Sequence, residues 1–233
     1  MSAKEIQEIH ILLADLRPHA PSKEAGAFAQ RNNAAQKSRL ESDAARKLTA
    51  IALQMYLGAP PAPETLAGET RSEYGKPYFP AYPDFHYNIS HSGGLVVCGF
   101  ADHPLGVDIQ AVPADPGRAL KIAGHFFSME EQKALLELQR HSDPQTDGML
   151  CRLFARFWTA RESYIKLTGR GLSEPFENFR PDLAGGVIYV KGENAPAAYL
   201  TEYNIEEGFS MTVCTYVPIW NVDLVTCRLF IAH

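Results

Sequence analysis

Four short segments hold the side chains most suited to phosphate or metal chemistry. Gly75-Lys76-Pro77 puts a lysine on a turn that proline stiffens and where glycine lets the backbone approach a ligand. Asn88-Ile89-Ser90-His91-Ser92-Gly93-Gly94 follows an apolar strand. Its Ser90, His91 and Ser92 offer donors for phosphate oxygens, and its glycines leave backbone N–H groups open. Gly106-Val107-Asp108-Ile109-Gln110 reads as a strand. Alternation then sets Asp108 and Gln110 on one face and turns Val107 and Ile109 into the core. Trp158 to Lys166 (WTARESYIK) reads as a helix in which Trp158, Glu162 and Lys166, four apart, share a face. Each segment alone also fits something plainer: a surface turn, a polar hairpin, or an intrahelical Glu162–Lys166 ion pair. Taken together they suggest a pyrophosphate-and-magnesium site, because carboxylates, waters and phosphate oxygens make such a site and a lysine and a histidine neutralise further charge. That reading requires Asp108 and Glu162 to meet in space.

The elements that must position these residues follow from periodicity and turn chemistry. Ile6 to Leu13 reads as a first strand. Ala34 to Tyr56 is a long helix with Leu40, Ala44, Leu48, Ile51 and Met55 at spacings of three and four, stopped by Gly58-Ala59-Pro60-Pro61. Residues 60–83 read as loops. Three short strands follow, Phe85 to Ile89, Leu95 to Ala101 and Gly106 to Ile109. Residues 112–118 (VPADPGR) form a proline-rich break, where a boundary between an N-terminal lobe (1–115) and a C-terminal lobe (116–233) is expected. Met129 to Arg140 is helical, with Ser128 as N-cap before Glu130 and Glu131. Asp143 to Gly148 reads as a loop. Leu150 to Leu167 is a second long helix ended by Gly169 and Gly171. Strand-like segments at 187–191, 197–203, 209–217 and 222–231 complete the chain. The order suggests two similar α+β lobes, each with a long helix and a small sheet.

Composition narrows the partners. A chain of 233 residues with 45% hydrophobic and 21% charged residues is ordinary globular material. Its net charge of -5 gives no global basic field for nucleic acid. Cys98, Cys151, Cys214 and Cys227 contain no C-x-x-C pair, so they read as reduced thiols rather than a zinc cage. Lys4, Glu5 and Glu8 at the N-terminus argue against a secretory signal, and no apolar run reaches membrane-spanning length. A cytoplasmic location is expected.

GKP, NISHSG, GVDI and FWTARESYIKLTGRGL, in that order and at these separations, resemble the Sfp-type 4′-phosphopantetheinyl transferase family over residues 31–216. Phe126-Phe127-Ser128 followed by Glu130 and Glu131 resembles its FFS-x-x-E segment. The resemblance implies an α+β monomer of two lobes in pseudo-twofold arrangement, each a mainly antiparallel sheet with a long helix, and an active site between them. It implies transfer of the 4′-phosphopantetheine arm of coenzyme A to a serine of an apo acyl or peptidyl carrier protein. Asp108 and Glu162 match the magnesium-binding acids, and Lys166 the pyrophosphate lysine. Ser90 and His91 match residues that touch the coenzyme's phosphates, and Lys76 the lysine near the adenine and 3′-phosphate. Arg31, Lys37, Arg39, Arg46 and Arg71 are the basic candidates for the remaining phosphate contacts. The chain departs from the family at Gln110, where many members carry a third acid. A glutamine carbonyl still suits a magnesium ligand, with Mn2+ as a possible substitute metal. The implied chemistry is attack on phosphorus with Glu162 as base. Two rival readings are a binding module that has lost catalysis, favoured only by Gln110, and a magnesium-dependent phosphohydrolase, which leaves the motif pairing unexplained.

Overall fold

The structure is a computed structural model and describes residues 8–17, 34–140, 143–218 and 221–226. The strands are β1 (Glu8–Asp15), β2 (Thr70–Arg71), β3 (Pro77–Tyr78), β4 (His86–Ser92), β5 (Leu95–Ala101), β6 (Leu105–Ala111), β7 (Phe179–Asp182), β8 (Val187–Val190), β9 (Ala198–Tyr203), β10 (Phe209–Thr215) and β11 (Asn221–Thr226). The helices are α1 (Ala34–Leu57), α2 (Pro63–Ala67), α3 (Pro116–Phe126), α4 (Met129–Gln139) and α5 (Pro144–Thr168). The strands form two principal sheets, β11-β1-β5-β4 and β6-β10-β9-β8-β7, and β2 and β3 make a small ribbon. All pairings are antiparallel except β1 with β11. The protein is therefore an α+β fold with one long helix per sheet: α1 packs on β5 and β1, and α5 on β6 and β10.

The sheets exchange strands across residue 115. β6 precedes that point yet pairs with β10, while β11 follows it and pairs with β1. A shared core of Ile9, Ile11, Leu95, Val97, Leu105, Val107, Ile109, Met211 and Val213 fills the space between the sheets. α1 buries Ala44, Leu48, Ala52 and Leu53 against the first sheet, and Met55 lies outside this stripe, 41% exposed.

Three helix starts differ from the sequence reading, the first being that of α2 (Pro63–Ala67), which lies within residues expected as loop and has proline in its first turn. α3 begins inside the proline-rich break because Asp115 caps the N–H groups of Gly117 and Arg118, with Pro116 at the first helical position. α5 begins at Pro144, where a loop was expected, because Asp143 forms a capping box with Thr146. α4 starts as expected, with a Ser128–Glu131 capping box. Cys98, Cys151 and Cys214 are buried free thiols, and Cys227 lies outside the described residues. Among the described residues no helix is long and apolar enough to cross a membrane.

Candidate active site at the junction of the two sheets

The GVDI and WTARES segments meet on the face of the second sheet opposite the shared core. Gly106 makes this possible, because α5 lies directly on it: a Cβ there would sit 2.0 Å from the Ser163 carbonyl oxygen and 2.4 Å from the Leu167 nitrogen. With the helix this close, Lys166 reaches β6. Its Nζ donates to Asp108 Oδ1 at 2.7 Å and to the Val107 carbonyl at 3.1 Å. Alternation along β6 is as expected: Val107 and Ile109 are core residues, while Asp108, 5% exposed, faces the helix. Next along, Thr159 shares hydrogen bonds with Ser210 at 3.0 Å and Thr212 at 2.8 Å, fixing α5 to β10.

Asp108 is held on one side only. Oδ1 accepts from both Lys166 and Ser90, the latter at 2.7 Å, whereas Oδ2 is buried with no hydrogen-bond partner among the described residues. Glu162 is mostly buried beside it. Burial raises its pKa first and the negative charge of Asp108 raises it further, with Lys166 opposing. A buried unpaired carboxylate oxygen next to a second carboxylate fits a divalent cation, which would satisfy the oxygen and relieve the repulsion. Among the described residues no group of three or more His, Cys, Asp or Glu side chains converges, so these two acids would be the anionic ligands. Gln110 is half-buried and donates its Nε2 to the Ala111 carbonyl at 2.8 Å, which directs the amide nitrogen away from any cation role and leaves Oε1 as the donor atom.

A cavity of about 520 Å³ opens on the first sheet, lined in part by Glu41, Arg46, Arg71, Tyr87, Asn88 and His91. Arg46, Arg71 and His91 were singled out from sequence, and the fold brings them to one place. Arg46 pairs with Asp43, Arg71 donates to the Gly75 carbonyl, and His91 Nδ1 lies 3.3 Å from buried Glu41. Lys37 approaches the same Glu41 at 3.8 Å. Arg39 is exposed and does not line the cavity. Arg31 lies outside the described residues.

Other expectations land elsewhere. Lys76 sends its ammonium to three carbonyls, Lys166 at 2.8 Å, Leu167 at 3.1 Å and Leu105 at 3.2 Å, so it caps the end of α5. Burial lowers its pKa to about 8. Trp158, one turn before Glu162, joins an aromatic cluster with Phe126, Phe154 and Phe176. The Glu162–Lys166 ion pair is replaced by Lys166–Asp108. Gly93 and Gly94, both at positive φ, make the tight β4–β5 turn, and a Cβ on either would strike Phe209 or Arg17. Sequence reasoning missed Arg161, fully buried and joined to Glu131 of the FFS-x-x-E segment. Arg161 Nε donates to Glu131 at 2.9 Å, Nη1 donates to the Phe176 carbonyl at 2.8 Å, and the guanidinium lies over the rings of Phe127, Phe176 and Phe179. The only sequence signal was an arginine beside the site glutamate.

Residues 104–214 match the family model described as the 4′-phosphopantetheinyl transferase superfamily. Over 154 residues the chain is 38% identical to 4′-phosphopantetheinyl transferase Sfp of Bacillus subtilis (strain 168), covering 65% of this chain and 64% of that protein. The chain is thus similar in sequence to 4′-phosphopantetheinyl transferases. It is also 31% identical over 170 residues to 4′-phosphopantetheinyl transferase gsp of Aneurinibacillus migulanus, covering 69% of this chain and 66% of that one. A more distant relative is the L-aminoadipate-semialdehyde dehydrogenase-phosphopantetheinyl transferase of Xenopus laevis, 32% identical over 108 residues, or 44% of this chain and 35% of that one. The chain thus matches less than two thirds of the length of these relatives. The family match takes in β6 and α5, the elements that carry Asp108, Glu162 and Lys166.

Proposed function

We propose that this protein transfers the 4′-phosphopantetheine arm of coenzyme A to a serine of an apo acyl or peptidyl carrier protein, with Mg2+, releasing 3′,5′-ADP. The observation that carries the reading is the state of Asp108: Oδ1 clamped by Lys166 and Ser90, Oδ2 buried and unpartnered among the described residues, and a second carboxylate, Glu162, alongside. Asp108 and Glu162 would hold the ion, with Gln110 Oε1 as the neutral donor nearby, and Mn2+ is the expected substitute. When bound, the ion offsets charge on the pyrophosphate oxygens.

The remaining steps fall to the protein's own groups. Arg46, Arg71 and His91 bind the nucleotide phosphates in the cavity on the first sheet. The carrier serine hydroxyl attacks the β-phosphorus, the pyrophosphate P–O bond breaks, and 3′,5′-ADP takes the electron pair. Glu162 accepts the serine proton. Lys166 stabilises charge on the pyrophosphate as the bond breaks. The working unit we propose is a cytoplasmic monomer acting on soluble carriers, with no nucleic-acid or membrane partner. Incubation with coenzyme A, Mg2+ and a panel of apo-carrier proteins tests the reading by mass spectrometry. At least one carrier should gain the mass of a single phosphopantetheine. A broad panel in which none does, with either metal, would refute it.

A further inference from the structure

Asn88, Ser90 and Ser92 alternate along β4, so their side chains share one face. β4 is the edge of the first sheet and β6 the edge of the second, and no backbone ladder joins them. The three side chains take its place. Asn88 Oδ1 accepts from the Val107 N–H at 3.1 Å, Ser90 Oγ from the Ile109 N–H at 3.2 Å, and Ser92 Oγ from the Ala111 N–H at 2.9 Å. The NISHS segment is thus a ladder of side chains that stitches two sheet edges together.

Ser90 differs from the other two rungs, because it also donates to Asp108 Oδ1 at 2.7 Å. A serine hydroxyl carries one hydrogen. Spent on Asp108, that hydrogen is not available to a phosphate oxygen, and Ser90 is almost wholly buried. Lys166 grips the same Oδ1 from the helix side. Two donors on one oxygen fix the plane of the carboxylate and leave the other oxygen, buried and without a hydrogen-bond partner among the described residues, as the free coordination point.

We propose that Ser90 is a positioning residue for Asp108. It holds Oδ1 so that Oδ2 is presented to a divalent cation, and it makes no hydrogen bond to the coenzyme. The inference rests on the metal site proposed above and assigns Ser90 a different task from the phosphate contact that the family resemblance suggests.

Mn2+ alone, titrated into the protein and followed by electron paramagnetic resonance, reads the metal site without turnover. Calorimetry with coenzyme A in metal-free buffer reads coenzyme binding separately. Loss of a hydrogen bond that orients a metal ligand typically weakens metal binding about 10- to 100-fold. Ser90→Ala should therefore weaken Mn2+ binding about tenfold or more and leave metal-free coenzyme A binding within about twofold of wild type. Ser90→Thr, which keeps the hydroxyl, should restore most of the Mn2+ affinity. Ser92→Ala removes a rung without touching Asp108, so it should lower the melting temperature yet bind Mn2+ as wild type does. Should Ser90→Ala fail to fold, Ser90→Cys, whose thiol is a weak donor, takes its place with the same expected ranking. Unchanged Mn2+ affinity in the Ala or Cys variant overturns the inference, as does a large loss of metal-free coenzyme A binding. Wild-type protein that takes up no Mn2+ overturns it together with the metal site. Mn2+ binding that follows the expected ranking supports it even if no carrier is modified, a result that would count against the transferase reading alone.

Discussion

Gly106→Ala should damage this site more than its size suggests. The added Cβ would stand 2.0 Å from the Ser163 carbonyl oxygen, 2.4 Å from the Leu167 nitrogen and 3.0 Å from the Lys166 carbonyl carbon. A comfortable C···O contact is about 3.3 Å, so the helix must retreat by roughly 1.3 Å. Nothing softer can yield, because the obstructing atoms are backbone inside a regular turn of α5. That turn carries Lys166, whose contact with Asp108 is 2.7 Å. A retreat on this scale takes it to about 4 Å, beyond hydrogen-bond range. Overpacking of this kind costs about 1–3 kcal/mol, equivalent to a fall in melting temperature of about 2–12 °C for a chain of this size. A misplacement of about 1 Å in a catalytic constellation can cost about 10²-fold in rate. Thermal melts and single-turnover carrier modification measure the two effects. Gly124→Ala is the control: its Cβ meets nothing within 4 Å on exposed α3, so it should be neutral or slightly stabilising. An alanine at position 106 that keeps wild-type rate and melting temperature would refute the claim that close approach of α5 to β6 builds the site.

Breaking the buried Arg161–Glu131 pair with Glu131→Gln should cost about 3–5 kcal/mol in urea denaturation, because it strands a fully buried guanidinium. The double variant Glu131→Leu, Arg161→Met should recover most of that loss; equal damage in the double variant would mean that packing, not charge, dominates there. For Lys76 the sign follows from its lowered pKa, about 8 against 10.5 for a free lysine. A depressed folded pKa favours folding above 10.5 and loses that contribution as pH falls through about 8. Urea midpoints of wild type relative to Lys76→Met should therefore rise between those two pH values and be flat below; a difference that does not vary with pH would show that Lys76 titrates alike in both states.

Local chemistry was legible in the sequence, and pairing over distance was not. Alternation separated Asp108 from Val107 and Ile109 correctly, and Ser128 with Glu131 announced a helix start, because both patterns act within a few residues. The same local logic, applied to Asp115-Pro116 and Asp143-Pro144, would have found two more helix starts. Proline at the first helical turn has no hydrogen bond to lose, so it opens a helix there rather than breaking one. The sheet to which β6 belongs depends on residues 209–215, about a hundred positions away, and no motif records it. Lys76 was misleading for a related reason. Its turn geometry suits a ligand contact, and only the fold reveals that the end of α5 arrives there first.

The anchors on α5 explain why Lys166 can sit on a helix and still meet a strand to within hydrogen-bond distance. Arg161 ties α5 to α4 through Glu131, Thr159 to β10 through Ser210 and Thr212, Lys76 closes its last turn, and Gly106 sets its height above β6. Glu162 and Lys166 lie between these points, so neither can drift without breaking a buried contact. Side chains placed on rigid elements in this way hold their geometry better than side chains on loops. The anchors also come from both parts of the chain, with Lys76, Gly106 and Asp108 before residue 115 and Glu131, Thr159 and Arg161 after it. A cut at that point would separate β6 from β10 and β1 from β11, leaving neither fragment with a complete sheet or with both carboxylates. The site therefore belongs to the junction, and its polar ladder is where sequence change should be least tolerated.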